Sequence, residues 1–147
     1  MGTQQRHPLV DAAYQARRNG DREGALTLYV AASQALRSDQ ADRTALASAI
    51  RHAGDLYEEL ADAPAAWAAY DEAWGLYTAL APALALDRAN CRRPMALWQE
   101  QHGDTAVALG MWREARGMYE QGAVATGLDL QAAYDECDRH IAALGAM

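Results

Sequence analysis

Three segments of this chain repeat one another: "NGDREGALTLYVAA" from Asn19, "ADAPAAWAAYDEA" from Ala61 and "HGDTAVALGMWREA" from His102. Aligned, they share a small residue, an aspartate, an alanine, an aromatic and a second alanine at fixed distances. The copies are Gly20, Asp21, Ala25, Tyr29 and Ala32; Ala61, Asp62, Ala66, Tyr70 and Ala73; and Gly103, Asp104, Ala108, Trp112 and Ala115. Successive copies lie 41 and 42 residues apart. A nearly constant period of this size marks stacked helical hairpins, since one hairpin cannot bury its apolar face alone. Alanines seven apart share one helix face and let two backbones approach closely. The aromatic between them lies on the same stripe and fills the volume between hairpins.

The rest of the chain agrees with a helical array. Strand signals are almost missing, and Ala, Leu, Arg, Glu and Gln fill the stretches between short breaks. Breaks at 19–21, 37–40, 61–64, 81–83, 102–104 and 125–129 predict seven helices over 8–19, 21–37, 40–61, 64–80, 83–102, 105–122 and 129–144. Gly20 and Gly103 suit the left-handed conformation that ends a helix. Asp21, Asp62 and Asp104 are placed to cap the helices that follow, with Pro64 suited to a first turn. Pro94 falls inside the fifth window and predicts a kink there, or a restart near Arg93. The expected core is Tyr29, Leu36, Tyr57, Tyr70, Trp74, Tyr77, Trp112 and Tyr119. At their spacing Trp67 and Trp74 also read as core.

A chain of 147 residues fits one domain. With 13 basic residues, all arginine, against 20 acidic ones, the formal charge is −7 and the pI about 4.9. That balance argues against a general nucleic-acid binder, which needs a basic face, and against adsorption to anionic membranes. Two cysteines outside any CxxC pair do not make a disulfide framework. No segment has the ~20 apolar residues of a membrane span, and the first residues lack a signal-peptide core. These features predict a cytoplasmic protein with reduced thiols.

The repeat resembles the tetratricopeptide repeat (TPR) family. The second copy carries most of that pattern, adding Gly54 and Tyr57 in its first helix to Ala66, Tyr70 and Ala73 in its second. The first copy has Ala13 and Ala16 in place of that glycine and tyrosine, and the third has Ala96 and Gln99. The long period is similar to the extended-helix variant found in kinesin light chain repeats. The resemblance implies an all-α, right-handed superhelical stack of three TPR-like hairpins plus a C-terminal capping helix. It would form a single domain over 1–147, with repeats at about 7–38, 40–80 and 83–122 and the cap at 129–144.

The resemblance further implies a non-catalytic protein–protein interaction module that takes a peptide or protein partner in a concave groove lined by the first helix of each hairpin. Carried over by position, the groove residues are Tyr14, Arg17, Arg18, Arg51, Asp55, Glu58, Asn90, Arg93 and Leu97. His7, Val10, Ser48, Glu59, Glu100 and Gln101 flank them. The arginines suit a partner with an acidic group or a free C-terminus, since a guanidinium fork holds a carboxylate bidentately. The plain alternative is that they serve as paired surface charges, Arg51 with Asp55 and Arg93 with a nearby Gln or Glu. Tyr14 and Asp55 stand where chaperone-binding members carry clamp asparagines, so recognition of a chaperone tail is not implied.

Two other readings stand beside this one. The first is a self-associating structural module, a homodimer through Ala-rich faces around Pro82–Leu86. The second is a metal-dependent helical enzyme built on "DECDRH", where Cys137 or Glu136 shares a helix face with His140, or on His52 with Asp55. Two ligands do not make a zinc site, and no GxGxxG, GxxxxGK[ST], HExxH or GxSxG motif is present. The plain account of "DECDRH" is a polar outer face with Cys137 half buried, and no cofactor or metal is expected.

Overall fold

The computed structural model describes residues 6–38, 42–80 and 84–147. Among these residues it contains seven helices and no strand: α1 (Pro8–Arg18), α2 (Arg22–Arg37), α3 (Arg43–Glu59), α4 (Ala63–Leu80), α5 (Ala85–His102), α6 (Thr105–Thr126) and α7 (Gln131–Gly145). The chain divides into two compact units, one ending at Leu76 and the other beginning at Tyr77. In the first, α1 packs on α2 and α2 on α3; in the second, α5 packs on α6 and α6 on α7. The expected break at 81–83, residues 39 and 40 of the break at 37–40, and Pro82 and Ala83 of the proposed pairing face lie outside the described residues.

The repeated residues form the packing stripe. Ala25, Ala32, Ala66, Ala73, Ala108 and Ala115 are all fully buried, as is Trp112, with Tyr29 and Tyr70 nearly so. An alanine at these positions buries no more than a methyl group, and that is what lets neighbouring helices close to short range. In the first unit α3 and α4 approach closely at Gly54, where a Cβ would lie 2.7 Å from the Tyr70 ring. The glycine of the second repeat is therefore a packing requirement.

The turns explain the small residue and the aspartate. At the end of α1, Gly20 has φ 83°, its N–H bonds the Arg17 carbonyl at 3.0 Å and the Asp21 N–H bonds Ala16 at 2.9 Å. That is the paired pattern of a left-handed helix terminator. The end of α3 repeats it with Ala61 at φ 63°, its N–H on Glu58 at 3.0 Å and the Asp62 N–H on Tyr57 at 2.8 Å. The aspartates then cap the next helices: Asp21 accepts from Gly24 N–H at 2.8 Å, Asp62 from Ala65 at 3.2 Å, and Asp104 from Ala106 at 2.8 Å and Val107 at 3.2 Å.

Four expectations need correction. Gly103 is not left-handed but has φ −132°; the Gln99 side chain accepts from the Asp104 N–H at 3.0 Å and closes the turn instead. Pro94 neither breaks nor restarts its helix, because α5 runs unbroken through it with the proline buried. The sixth helix continues past 122 to Thr126, where Gly127 at φ 72° ends it. Tyr57 and Trp74 are half-buried rather than core, as is Trp67. Tyr57 borders an open cleft in the first unit. Leu36, Tyr77 and Tyr119 are buried as expected.

Candidate functional site

Each expected groove residue falls on α1, α3 or α5, and the structure shows how each is held. In the first unit Tyr14 is 40% exposed. The guanidiniums of Arg6 and Arg18 lie 5.2 and 5.9 Å from its ring centre, within cation–π range. Arg17 reaches across from α1 to α3 and places one nitrogen 3.3 Å from both carboxylate oxygens of Glu59. Arg51 lies 3.6 Å from Asp55 on its own helix, and Asp55 also accepts the Tyr70 hydroxyl at 2.7 Å. Burial pushes the Asp55 carboxyl up, against the opposing pull of Tyr70, Arg51 and Arg17. Glu58 is half-buried on the same helix.

Behind these groups, Tyr29 of α2 and His52 of α3 stack with centres 5.1 Å apart and planes 17° off parallel. The His52 Nδ1 is buried with no hydrogen-bond partner, and Arg51 approaches its Nε2 at 3.5 Å. Burial, then the charges of Arg51, Arg17 and Arg6, lower the His52 pKa to about 4. The same arginines surround Tyr29, whose hydroxyl burial pushes up. Arg51, Arg17 and Arg6 of the first unit thus act on the His52 imidazole, while Arg18 lies against Tyr14.

The second unit places Asn90, Arg93 and Leu97 on α5, with Leu97 half-buried. Asn90 accepts the Tyr119 hydroxyl at 2.9 Å. Arg93 grips Glu136 of α7 with two nitrogens, one of them at 2.8 Å from Oε2. That contact holds the Glu136 carboxyl below its ordinary range. Glu100 of α5 bridges two helices: its Oε2 accepts Trp112 Nε1 at 2.7 Å and lies 2.8 Å from His140 Nδ1. The His140 ring stacks on Trp112 at 4.1 Å and 14°.

From sequence, Cys137 or Glu136 with His140 is a weak metal-pair alternative to the plain reading of α7 as a cap with a polar outer face and Cys137 half buried. In the structure Glu136 and His140 turn to different partners on α5, and Cys137 between them is completely buried. Burial pushes that thiol up to about 11. His52 and Asp55 diverge likewise, one onto Tyr29 and the other onto Tyr70. Among the described residues no group of three or more His, Cys, Asp and Glu side chains is placed to hold a metal. A signal for the true pairing was present, since Arg17 and Glu59 are 42 residues apart and Arg93 and Glu136 are 43 apart. Opposite charges one repeat apart on equivalent helices are positioned to meet.

This is a TPR-like helical-repeat fold, and the comparison with solved structures bears that out. The chain superimposes on BtubC (BKLC) from P. vanneervenii with a TM-score of 0.81 at 17% identity, covering 92% of this chain and 53% of that one. It also matches the nearly identical TPR-like repeats of a Podosopora anserina protein described as a kinesin light chain, with a TM-score of 0.73 at 10% identity, covering 92% and 63%. The chain therefore spans between half and two thirds of the length of these neighbours. No family model matches the sequence, and no curated protein does. Among the described residues no helix is long and apolar enough to cross a membrane.

Proposed function

We propose that the chain is a non-catalytic, cytoplasmic protein-interaction module whose first unit receives a peptide or protein segment on the helices α1 and α3. Its helical-repeat fold, shared with kinesin light chain TPR-like repeats, supports the reading. The observation that carries it is Tyr14, an aromatic left 40% exposed on α1 with two guanidiniums against its ring. An exposed tyrosine offers a partner a large, rigid contact at low entropic cost.

The ion pairs refine which groups read the partner. Arg17 and Arg93 already hold Glu59 and Glu136, so their first role is to tie α1 to α3 and α5 to α7. Among the described residues Arg18 lies within reach of no carboxylate and rests on Tyr14, so it is the group left to take an acidic side chain or a free C-terminus. The test is affinity capture from lysate with the wild-type chain and a Tyr14→Ala/Arg18→Ala double variant, identified by mass spectrometry. The proposal expects a specific partner whose recovery falls at least tenfold with the variant while helicity is unchanged. Unchanged recovery refutes the assignment, and a mass that rises with concentration in light scattering points to self-association instead.

A further inference from the structure

A second feature lies between the helices of the first unit. In the first unit a cleft of about 270 Å3 opens between α2, α3 and α4. Ile50 and Ala53 of α3 are buried in its lining, with Val30 on α2 and Ala65 and Ala69 on α4. The alanines leave the space open where larger side chains would have filled it. Arg37 and Glu72 form its polar, solvent-exposed part, with side chains 47% and 42% exposed. They meet as a two-pronged pair, Nη1 to Oε2 at 2.5 Å and Nη2 to Oε1 at 2.9 Å. The Arg37 contact holds the Glu72 carboxyl below its usual range.

We propose that this cleft binds a small amphipathic carboxylic acid, its apolar body against Val30, Ile50 and Ala53 and its carboxylate on the Arg37 fork in place of Glu72. Three properties select that ligand. The volume sits just below the ~300–1,000 Å3 of ordinary ligand pockets, which fits about ten heavy atoms and not a folded segment. Apart from Ser33 and the Arg37–Glu72 pair the lining is apolar or aromatic, so a wholly hydrophilic anion would leave that part unused. The fork already displays the planar, bidentate geometry that a carboxylate takes on arginine. Glu72 occupies the ligand's position as an internal competitor, and an ion pair this exposed is held weakly enough to exchange.

The test uses 3-phenylpropionate and its neutral amide, 3-phenylpropanamide, with binding read by ligand-observed saturation-transfer NMR on the intact chain. The acid is expected to bind saturably with a Kd on the order of 1 mM, and the amide at least tenfold more weakly. Arg37→Gln should weaken the acid at least tenfold. Glu72→Gln should tighten it roughly two- to fivefold, because the competitor is gone. Both positions are exposed, and unchanged circular dichroism confirms that each variant folds. No saturable signal up to about 10 mM acid, equal binding of acid and amide, or no gain in Glu72→Gln each overturns the proposal.

Discussion

The two units build the same arrangement from different chemistry. In each, an arginine of the first helix grips a glutamate of the third: Arg17 with Glu59, and Arg93 with Glu136. In each, the aromatic of the packing stripe stacks on a histidine of the third helix: Tyr29 on His52, and Trp112 on His140. The surroundings of the two rings then diverge. Burial, then the charges of three arginines, lower the His52 pKa, and its ring is a packing plate with one buried nitrogen unmatched. His140 lies 2.8 Å from a carboxylate that also holds Trp112, so its ring links α7 to both α5 and α6. The same slot is used for filling in one unit and for fastening in the other.

The largest test of this contrast is at the stripe aromatics. Trp112→Ala removes a completely buried side chain, the Glu100 hydrogen bond and the His140 stack, and should cost about 4 kcal/mol. Tyr29→Ala loses packing and one stack and should cost about 3 kcal/mol. Denaturant unfolding measures both, and hydrogen exchange in α7 should speed up only with Trp112→Ala. Equal costs with no change in α7 would remove the distinction between filling and fastening.

A smaller effect is expected from acid. The His52 pKa is lowered from 6.5 to about 4, so the unfolded chain takes up a proton that the folded chain refuses. Its contribution is fully present above pH 6.5 and is lost as pH falls towards about 4, by at most about 3 kcal/mol. His52→Gln, which cannot titrate, should flatten the stability profile across that window. An unchanged slope would mean that the imidazole is not held neutral.

The smallest test concerns the turns. Ala61 holds the left-handed conformation that Gly20 adopts freely, at a cost on the order of 1 kcal/mol. Ala61→Gly should recover about that much and raise Tm by roughly 3 °C. Gly20→Ala should lose a similar amount. If neither melting temperature moves, the two turns are not the matched pair that their hydrogen bonds describe.

Much of the fold was legible because the repeat ties each residue type to a local cause. Asp21, Asp62 and Asp104 are caps, the six alanines are contacts, and both follow from spacing along the chain. Gly103 was misread because a glycine after a helix suggests the left-handed turn; nothing in its vicinity marked Gln99 as the group that closes it. The alternative of a helix restart near Arg93 fails because α5 continues through Pro94, which is buried. The helices that carry Tyr14, Arg17, Arg51 and Arg93 could be found by position, but not which arginines were already engaged. That depends on contacts 42 and 43 residues away in sequence, which only a search at the repeat period would have brought out. The cleft beside Tyr57 was invisible, since a space has no residue of its own.

The clasps also bear on how the chain folds. Hairpin contacts such as Arg92 with Glu114 span 22 residues, whereas the arginine–glutamate clasps span almost twice that. A topology dominated by neighbours in sequence carries little loop-closure entropy and folds fast, with hairpins forming before the third helix docks. Interactions made only after the rate-limiting step slow unfolding without speeding folding. Arg17–Glu59 and Arg93–Glu136 then act on lifetime: they lengthen the time a third helix stays docked once it has arrived.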